Sequence, residues 1–321
     1  MANDYVLSID VGGTNTAFGL VDQFGHCIYK DSIPTNSGNS AQDLFSHLFS
    51  VFSKKEKDFT KTNKMVGIGI GVPNGNYYTG EVISPPNLGW ENVNLVSLVK
   101  HCYDMPVAIT NDANAAALGE MRFGAARGMR DFIEITLGTG LGSGIVVDGN
   151  VVYGHSGFAG ELGHVLAVEN GRLCGCGRRG CLETYASATG IVKSALETIK
   201  DNPESSSKLA VKMDTLTSKD VFEAANQGDK LARLIFMQTG QLLGKVLSNS
   251  VLHTSPEAII FFGGLSLAGE LILAPIRESV NEHVMTSFKG KTKILASGLP
   301  GDEAAILGAA ALIWEKLENG R

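Results

Sequence analysis

Four short stretches of this 321-residue chain hold residue types whose spacing suits chemistry. The first is Asp10-Val11-Gly12-Gly13-Thr14. A carboxylate ends an apolar segment there, and the backbone amides of the glycine turn that follows can face phosphate oxygens while the acid stays beside a magnesium ion. The stretch also suits a tight hairpin in which the glycines supply positive φ and Asp10 caps the turn. Leu137-Gly138-Thr139-Gly140 repeats the pattern in the second half, and two such units would give two sets of amides around one cleft. The sequence contains no GxxxxGK[ST], which excludes a P-loop nucleotide site.

The second stretch is His164, Cys174, Cys176 and Cys181, which gathers three of the chain's five cysteines; Cys27 and Cys102 stand alone. That is a poor disulfide framework. One imidazole and three thiolates suit a closed tetrahedral zinc site with no open position for water, which makes its role structural. Three unliganded thiols beside an unrelated histidine is the plainer alternative.

The third group is Glu161 and Glu183, which bracket that knuckle. A metal clamp would hold both acids rigid enough for bidentate hydrogen bonds to adjacent sugar hydroxyls; either alone also reads as a surface helix cap. Fourth, Asn111-Asp112 ends an apolar segment before Ala113-Asn114-Ala115. Asp112 could take a proton from an attacking hydroxyl, or could merely cap the helix that follows. Asn87 and Asn111 carry amides able to read sugar hydroxyls, although Asn87 suits a turn equally well.

These groups need strands that end where they stand. Val6–Asp10, Ala17–Val21 and Cys27–Lys30 read as a β-meander around the first glycine turn. Helix-period spacing runs from Ala41 to Ser53, the Lys-rich stretch Lys54–Lys64 reads as a solvated connection, and Met65–Gly71 as a buried strand. Val93–Cys102 has helical spacing, Val107–Asn111 is a strand, and Ala113–Gly119 begins a helix with Asp112 at its N-cap position. From Ile133 to Gly149 the strand-turn-strand pattern of Ile9 to Asp22 returns, so the chain reads as internally duplicated. Helices follow at Ser187–Lys200, Ser218–Asn226 and Ala232–His253, then the strand Ala258–Phe262 ending in Gly263-Gly264. Two more helices, Leu267–Thr286 and Ala304–Leu317, flank the short strand Lys293–Ala296. Alternating strands and helices predict an α/β fold. At about 150 residues per domain, two lobes are expected: a small one over 1–119, with the last helix at 304–321 packing back on it, and a large one over 120–303 carrying the knuckle.

A hydrophobic share of 44% with 19% charged residues excludes disorder as the main state. The net charge of -6, with lysines and arginines scattered, leaves no footprint for a nucleic-acid backbone. Neither a signal peptide nor a run of about 18 apolar residues is present, so a cytoplasmic protein without a membrane partner is expected.

Asp10 to Thr14, Asn87-Leu-Gly-Trp, Asn111-Asp-Ala-Asn-Ala-Ala, Leu137-Gly-Thr-Gly, Ala159-Gly-Glu-Leu-Gly-His164 and Cys174-Gly-Cys-Gly-Arg-Arg-Gly-Cys-Leu-Glu183 together resemble the ROK family of sugar kinases and sugar-responsive repressors. The resemblance spans nearly the whole chain and is nearest to the bacterial glucokinases of that family. It implies two actin-like, ribonuclease H-like lobes with sugar and ATP in the cleft, and transfer of phosphate to the 6-hydroxyl of a hexose, glucose first. Carried over by residue, it implies that Asp112 is the general base and that Asn111, Glu161, His164 and Glu183 contact the sugar. Asp10, Gly12, Gly13, Thr14, Gly138 and Thr139 would face the phosphates and magnesium, while Gly263 and Gly264 would lie against adenosine. His164, Cys174, Cys176 and Cys181 match the family's zinc ligands, and a homodimer is implied. The sequence departs from the family pattern after Gly71-Val72-Pro73, where Asn74-Gly75-Asn76-Tyr77-Tyr78 follows, and at Gly263-Gly264, where the family has three glycines. An N-acetylmannosamine or N-acetylglucosamine kinase would use the same machinery. A sugar-sensing repressor is disfavoured, because only five residues precede Val6 and a helix-turn-helix would have to precede it.

Overall fold

The computed structural model describes residues 3–36, 39–59, 63–85, 88–202 and 207–319. The first half runs β1 (Asn3–Val11), β2 (Asn15–Asp22), β3 (Cys27–Pro34), α1 (Ala41–Phe59), β4 (Asn63–Gly71), β5 (Glu81–Val82), β6 (Val93–Asn94), α2 (Leu95–Lys100), β7 (Val107–Thr110) and α3 (Asp112–Phe123). The second runs β8 (Phe132–Leu137), β9 (Leu141–Val147), β10 (Asn150–Val151), α4 (Ala188–Asp201), α5 (Ser218–Asn226), α6 (Lys230–Thr254), β11 (Ala258–Phe262), α7 (Glu270–His283), β12 (Lys293–Ala296) and α8 (Ala304–Asn319).

The chain folds as two α/β units with one topology used twice. In the first, the sheet order is β3-β2-β1-β4-β7; in the second it is β10-β9-β8-β11-β12. Each sheet pairs its opening strands antiparallel and then adds two parallel strands, β4 and β7 beside β1, and β11 and β12 beside β8. The duplicated meander read from the sequence is therefore present in three dimensions.

In the first unit the sheet is covered on one face by α1, whose Phe45, Leu48 and Phe52 are wholly buried against Leu7, Ile9, Phe18 and Ile70. On the other face alternation leaves small residues. A Cβ on Gly69 would stand 2.0 Å from the Ala309 carbonyl of α8, so glycine is what lets the helix lie directly on the strand. Ser8 donates its hydroxyl to the Ile306 carbonyl on the same face. In the second unit Ile133, Ile135, Ile259 and Phe261 meet Ile191, Phe236, Leu243 and Ile276.

Several elements differ from the sequence reading. Most of the charged stretch is not a connection: α1 continues through Lys54, Lys55 and Lys57 to Phe59, Asn63 and Lys64 open β4, and residues 60–62 lie outside the described residues. Lysine and glutamate are good helix formers and nothing between Ser53 and Phe59 breaks the helix. Val93 and Asn94 pair with Val82 and Glu81, and α2 starts only at Leu95 because the Asn94 side chain accepts the Ser97 N–H. Asp112 is the first residue of α3 rather than its cap; the capping side chain is Asn111, which accepts from Ala113 N–H at 2.9 Å.

The units also divide differently. One comprises Met1–Gly128, Val151–Ala159 and Gly298–Arg321, the other Met129–Asn150 and Gly160–Ser297. The expected division at 119/120 falls short of this, because α3 runs on and buried Glu120 accepts the N–H groups of Ala125 at 2.6 Å and Gly298 at 3.2 Å. Residues 151–159 join the first unit through Asn76, whose amide donates to the Ser156 carbonyl at 2.8 Å, and through Tyr77 and Tyr153, stacked 4.2 Å apart. Among the described residues no helix is long and apolar enough to cross a membrane.

Candidate active site

Register places the carboxylates. β1, β4 and β7 run parallel, with Asp10 opposite Gly71 and Gly71 opposite Thr110. Asp10 and Asn111-Asp112 therefore both stand at the carboxyl ends of parallel strands, the edge where open α/β sheets bind ligands. A Cβ on Gly71 would lie 3.4 Å from the Asp10 carboxylate and 3.9 Å from the Asp112 Cα, so the glycine keeps the space beside the two acids open. Burial, and then the charge of Asp112, push Asp10 up from the usual carboxylate range to about 7. Asp112 is also pushed up, chiefly by burial, against the pull of the Ala113 and Asp112 N–H groups. Water reaches Asp112, yet enough protein surrounds it for lost hydration to dominate. Two acids this close, with the charge of Asp112 raising the pKa of Asp10, suit a divalent cation, which would relieve the repulsion.

The turn after β1 is tight: Gly12 donates to the Asn15 carbonyl at 3.1 Å, and a Cβ on Gly12 would stand 2.8 Å from that oxygen. Its counterpart follows β8, where Gly138 donates to the Gly140 carbonyl at 3.1 Å. Gly263 and Gly264 follow β11, which pairs with β8 up to Phe262 opposite Thr136. Gly263 has φ +99° and a Cβ there would meet the Leu137 carbonyl at 2.6 Å. The structure thus brings Gly138, Thr139, Gly263 and Gly264 to one edge of the second sheet.

The four knuckle side chains also come together. The ligand atoms of His164, Cys174, Cys176 and Cys181 all lie within 4.8 Å of one another. Cys176 Sγ is 3.6 Å from Cys181 Sγ, and Cys174 Sγ is 3.6 Å from His164 Nδ1. A tetrahedron with Zn–S bonds of about 2.3 Å has edges of about 3.8 Å, so the set fits such an ion. Gly180, at φ +78°, lets the loop pass the Val168 carbonyl, which a Cβ would meet at 1.8 Å. Glu183 turns inward: its Oε1 accepts from Cys174 Sγ at 2.9 Å and lies 3.7 Å from His164 Nδ1. Burial and that carboxylate push the Cys174 thiol up, whereas the backbone N–H of Arg178 holds Cys176 down. Glu161 is exposed just before the 3-10 turn Leu162–His164, and its carbonyl accepts the His164 N–H at 3.1 Å.

A family model described as the ROK family matches residues 6–316. The chain belongs to the ROK family. A glucokinase of Halalkalibacterium halodurans is 35% identical over 98% of this chain and 97% of that protein. The crystal structure of a ROK glucokinase from Streptomyces griseus with glucose and AMPPNP superposes with a TM-score of 0.80 at 34% identity, covering 96% of this chain and 98% of that one. A xylose repressor of Caldicellulosiruptor bescii is 33% identical over 96% of this chain and 77% of the repressor. The family's actin-like fold agrees with the two matching sheets.

Asn87 lies outside the described residues. Asn111 spends its side-chain oxygen on the helix cap, which leaves its amide N–H groups for a ligand. Two residues escaped the sequence reading. Thr35 donates to the Gly12 carbonyl at 2.7 Å, and Thr189 donates to the Thr139 carbonyl at 2.9 Å. Each sits far from its turn in the chain, so no local motif marks it.

Proposed function

We propose that this ROK protein is a sugar kinase that transfers the terminal phosphoryl group of ATP to the 6-hydroxyl of glucose. Asp112 accepts the proton of the attacking hydroxyl as the new O–P bond forms and the bond to ADP breaks. Asp10 is assigned to the magnesium of the nucleotide, and the N–H groups of Gly13, Thr14 and Thr139, in the turns that Gly12 and Gly138 close with their own N–H groups, to its phosphates. Gly263 and Gly264 are assigned to the adenosine. Magnesium would supply charge neutralisation at the phosphates. Asn111, Glu161, His164 and Glu183 are assigned to the sugar hydroxyls, and zinc to the His164–Cys181 knuckle, where it holds Glu183 and His164 in place. The reaction is assigned to the cytoplasm.

The observation that carries this reading is the Asp10–Asp112 pair at the carboxyl ends of β1 and β7. A catalytically silent sugar sensor, which the repressor relative brings to mind, has no use for it. Asn111 performs the cap, and the Asp112 carboxylate accepts the same Ala113 N–H at 2.9 Å, which fixes it at the start of α3.

Turnover of magnesium-ATP, read as ADP release, separates the readings with glucose, mannose, fructose, N-acetylglucosamine and N-acetylmannosamine as acceptors. Glucose should give kcat/KM at least about tenfold above the others, the scale one misplaced hydroxyl contact commands. Preference for an N-acetylated sugar would overturn the acceptor and keep the chemistry; no turnover with any of them would overturn the kinase.

A further inference from the structure

We infer that Thr35 and Thr189 are positioning residues for the nucleotide, each holding one glycine turn with its amides facing outward. The inference rests on the phosphoryl-transfer reading and extends it to two residues outside both turns.

In a planar trans peptide the C=O of one residue and the N–H of the next point in opposite directions. Fixing the carbonyl therefore aims the following amide. Around the second turn, Ala188 N–H donates to the Gly138 carbonyl at 2.9 Å and Thr189 Oγ1 donates to the Thr139 carbonyl at 2.9 Å. Two successive peptide planes are thus pinned toward the start of α4, and the N–H groups of Thr139 and Gly140 face the other way. Around the first turn, Thr35 performs both tasks. Its hydroxyl donates to the Gly12 carbonyl at 2.7 Å and its N–H to the Thr14 carbonyl at 2.9 Å, which aims the Gly13 N–H outward. Among the described residues, none of the N–H groups of Gly13, Thr139 and Gly140 meets an acceptor. Outward-facing amides of this kind form a nest for an anion.

Both threonines are themselves held. Buried Thr35 receives the hydroxyl of Thr16 at 2.9 Å. Thr189 lies in the first turn of α4, whose cap Ser187 accepts the Gly190 N–H at 3.0 Å and donates to the Glu183 carbonyl at 2.7 Å. The two halves of the chain therefore solve one problem in the same way with residues that share no sequence pattern.

The test replaces the hydroxyl with a methyl of similar size. Magnesium-AMPPNP affinity, glucose affinity and melting temperature are measured by calorimetry for wild type, Thr189→Val, Thr189→Ser and Thr35→Val. Exposed Thr189 tolerates the change, so Thr189→Val should keep its melting temperature and glucose affinity while binding the nucleotide about tenfold more weakly, the worth of one well-placed hydrogen bond. Thr189→Ser should regain the loss. Thr35→Val should weaken the nucleotide at least as much. Wild-type nucleotide affinity in Thr189→Val, or parallel loss of nucleotide, glucose and thermal stability without rescue by serine, would overturn the inference while leaving the kinase reading standing. A wild-type protein that binds no nucleotide would overturn both.

Discussion

At the scale of single residues, the unfavourable feature of the ligand-free protein is the Asp10–Asp112 pair. A carboxyl whose pKa rises on folding binds more protons in the folded state than in the unfolded one over the interval between the two values. Stability therefore falls as pH rises across that interval. For Asp10 the interval runs from the ordinary 3.8 to about 7. In magnesium-free buffer Asp10→Asn should be more stable than wild type at pH 8, by at most about 4 kcal/mol, with the advantage gone near pH 4. Urea unfolding at the two pH values measures it, and an equal difference at both would refute the raised pKa that burial and the neighbouring charge give Asp10. Asp10 and Asp112 were legible as candidates because each ends an apolar strand. The allocation of roles at Asn111-Asp112 was not, since either residue type caps a helix and only the backbone angles decide which one does.

At the scale of elements, the knuckle and the sheet faces carry the argument. Dense spacing revealed the knuckle, but the inward turn of Glu183 onto Cys174 depends on the loop's path past Val168 and could not be read from spacing. Cys176→Ser should lower zinc affinity at least about 100-fold and weaken glucose binding, because Glu183 and His164 would lose the ion proposed to orient them. Metal content by atomic emission, together with a glucose titration, checks both; a metal-free variant with unchanged glucose affinity would contradict the clamp. Thiols must lose protons to bind the ion, so zinc affinity should also fall with pH. On the sheet, Gly69→Ala must move α8 or the strand, because its Cβ meets the Ala309 carbonyl at 2.0 Å. A loss of about 1–3 kcal/mol is expected, and a melting temperature equal to wild type would show that α8 does not lie where the structure places it. The length of α1 was hidden for the opposite reason: a run of solvated lysines reads as a loop, although Phe59 at the end of the helix packs on Tyr29.

At the scale of the whole molecule, duplication was the strongest signal in the sequence. Ile9–Asp22 and Ile133–Gly149 share a strand-turn-strand pattern, and both sheets are built from it in the same order. The excursion of residues 151–159 into the first unit was not legible. It depends on Tyr77 stacking with Tyr153 and on Asn76 reaching Ser156, a pairing made across 80 positions of the chain. The same limit hid Thr35 and Thr189. Local patterns located the turns, while distant residues hold them.

Asp112 is the proposed proton acceptor in sugar phosphorylation, and the most direct test compares Asp112→Asn with wild type in two readings: kcat with magnesium-ATP and glucose, and the dissociation constant for glucose. Asparagine keeps the size and the hydrogen bonding of the side chain and removes the base. With Asp112 as the base, kcat should fall at least about 100-fold with glucose affinity within about threefold of wild type. A variant that keeps most of its turnover would contradict it.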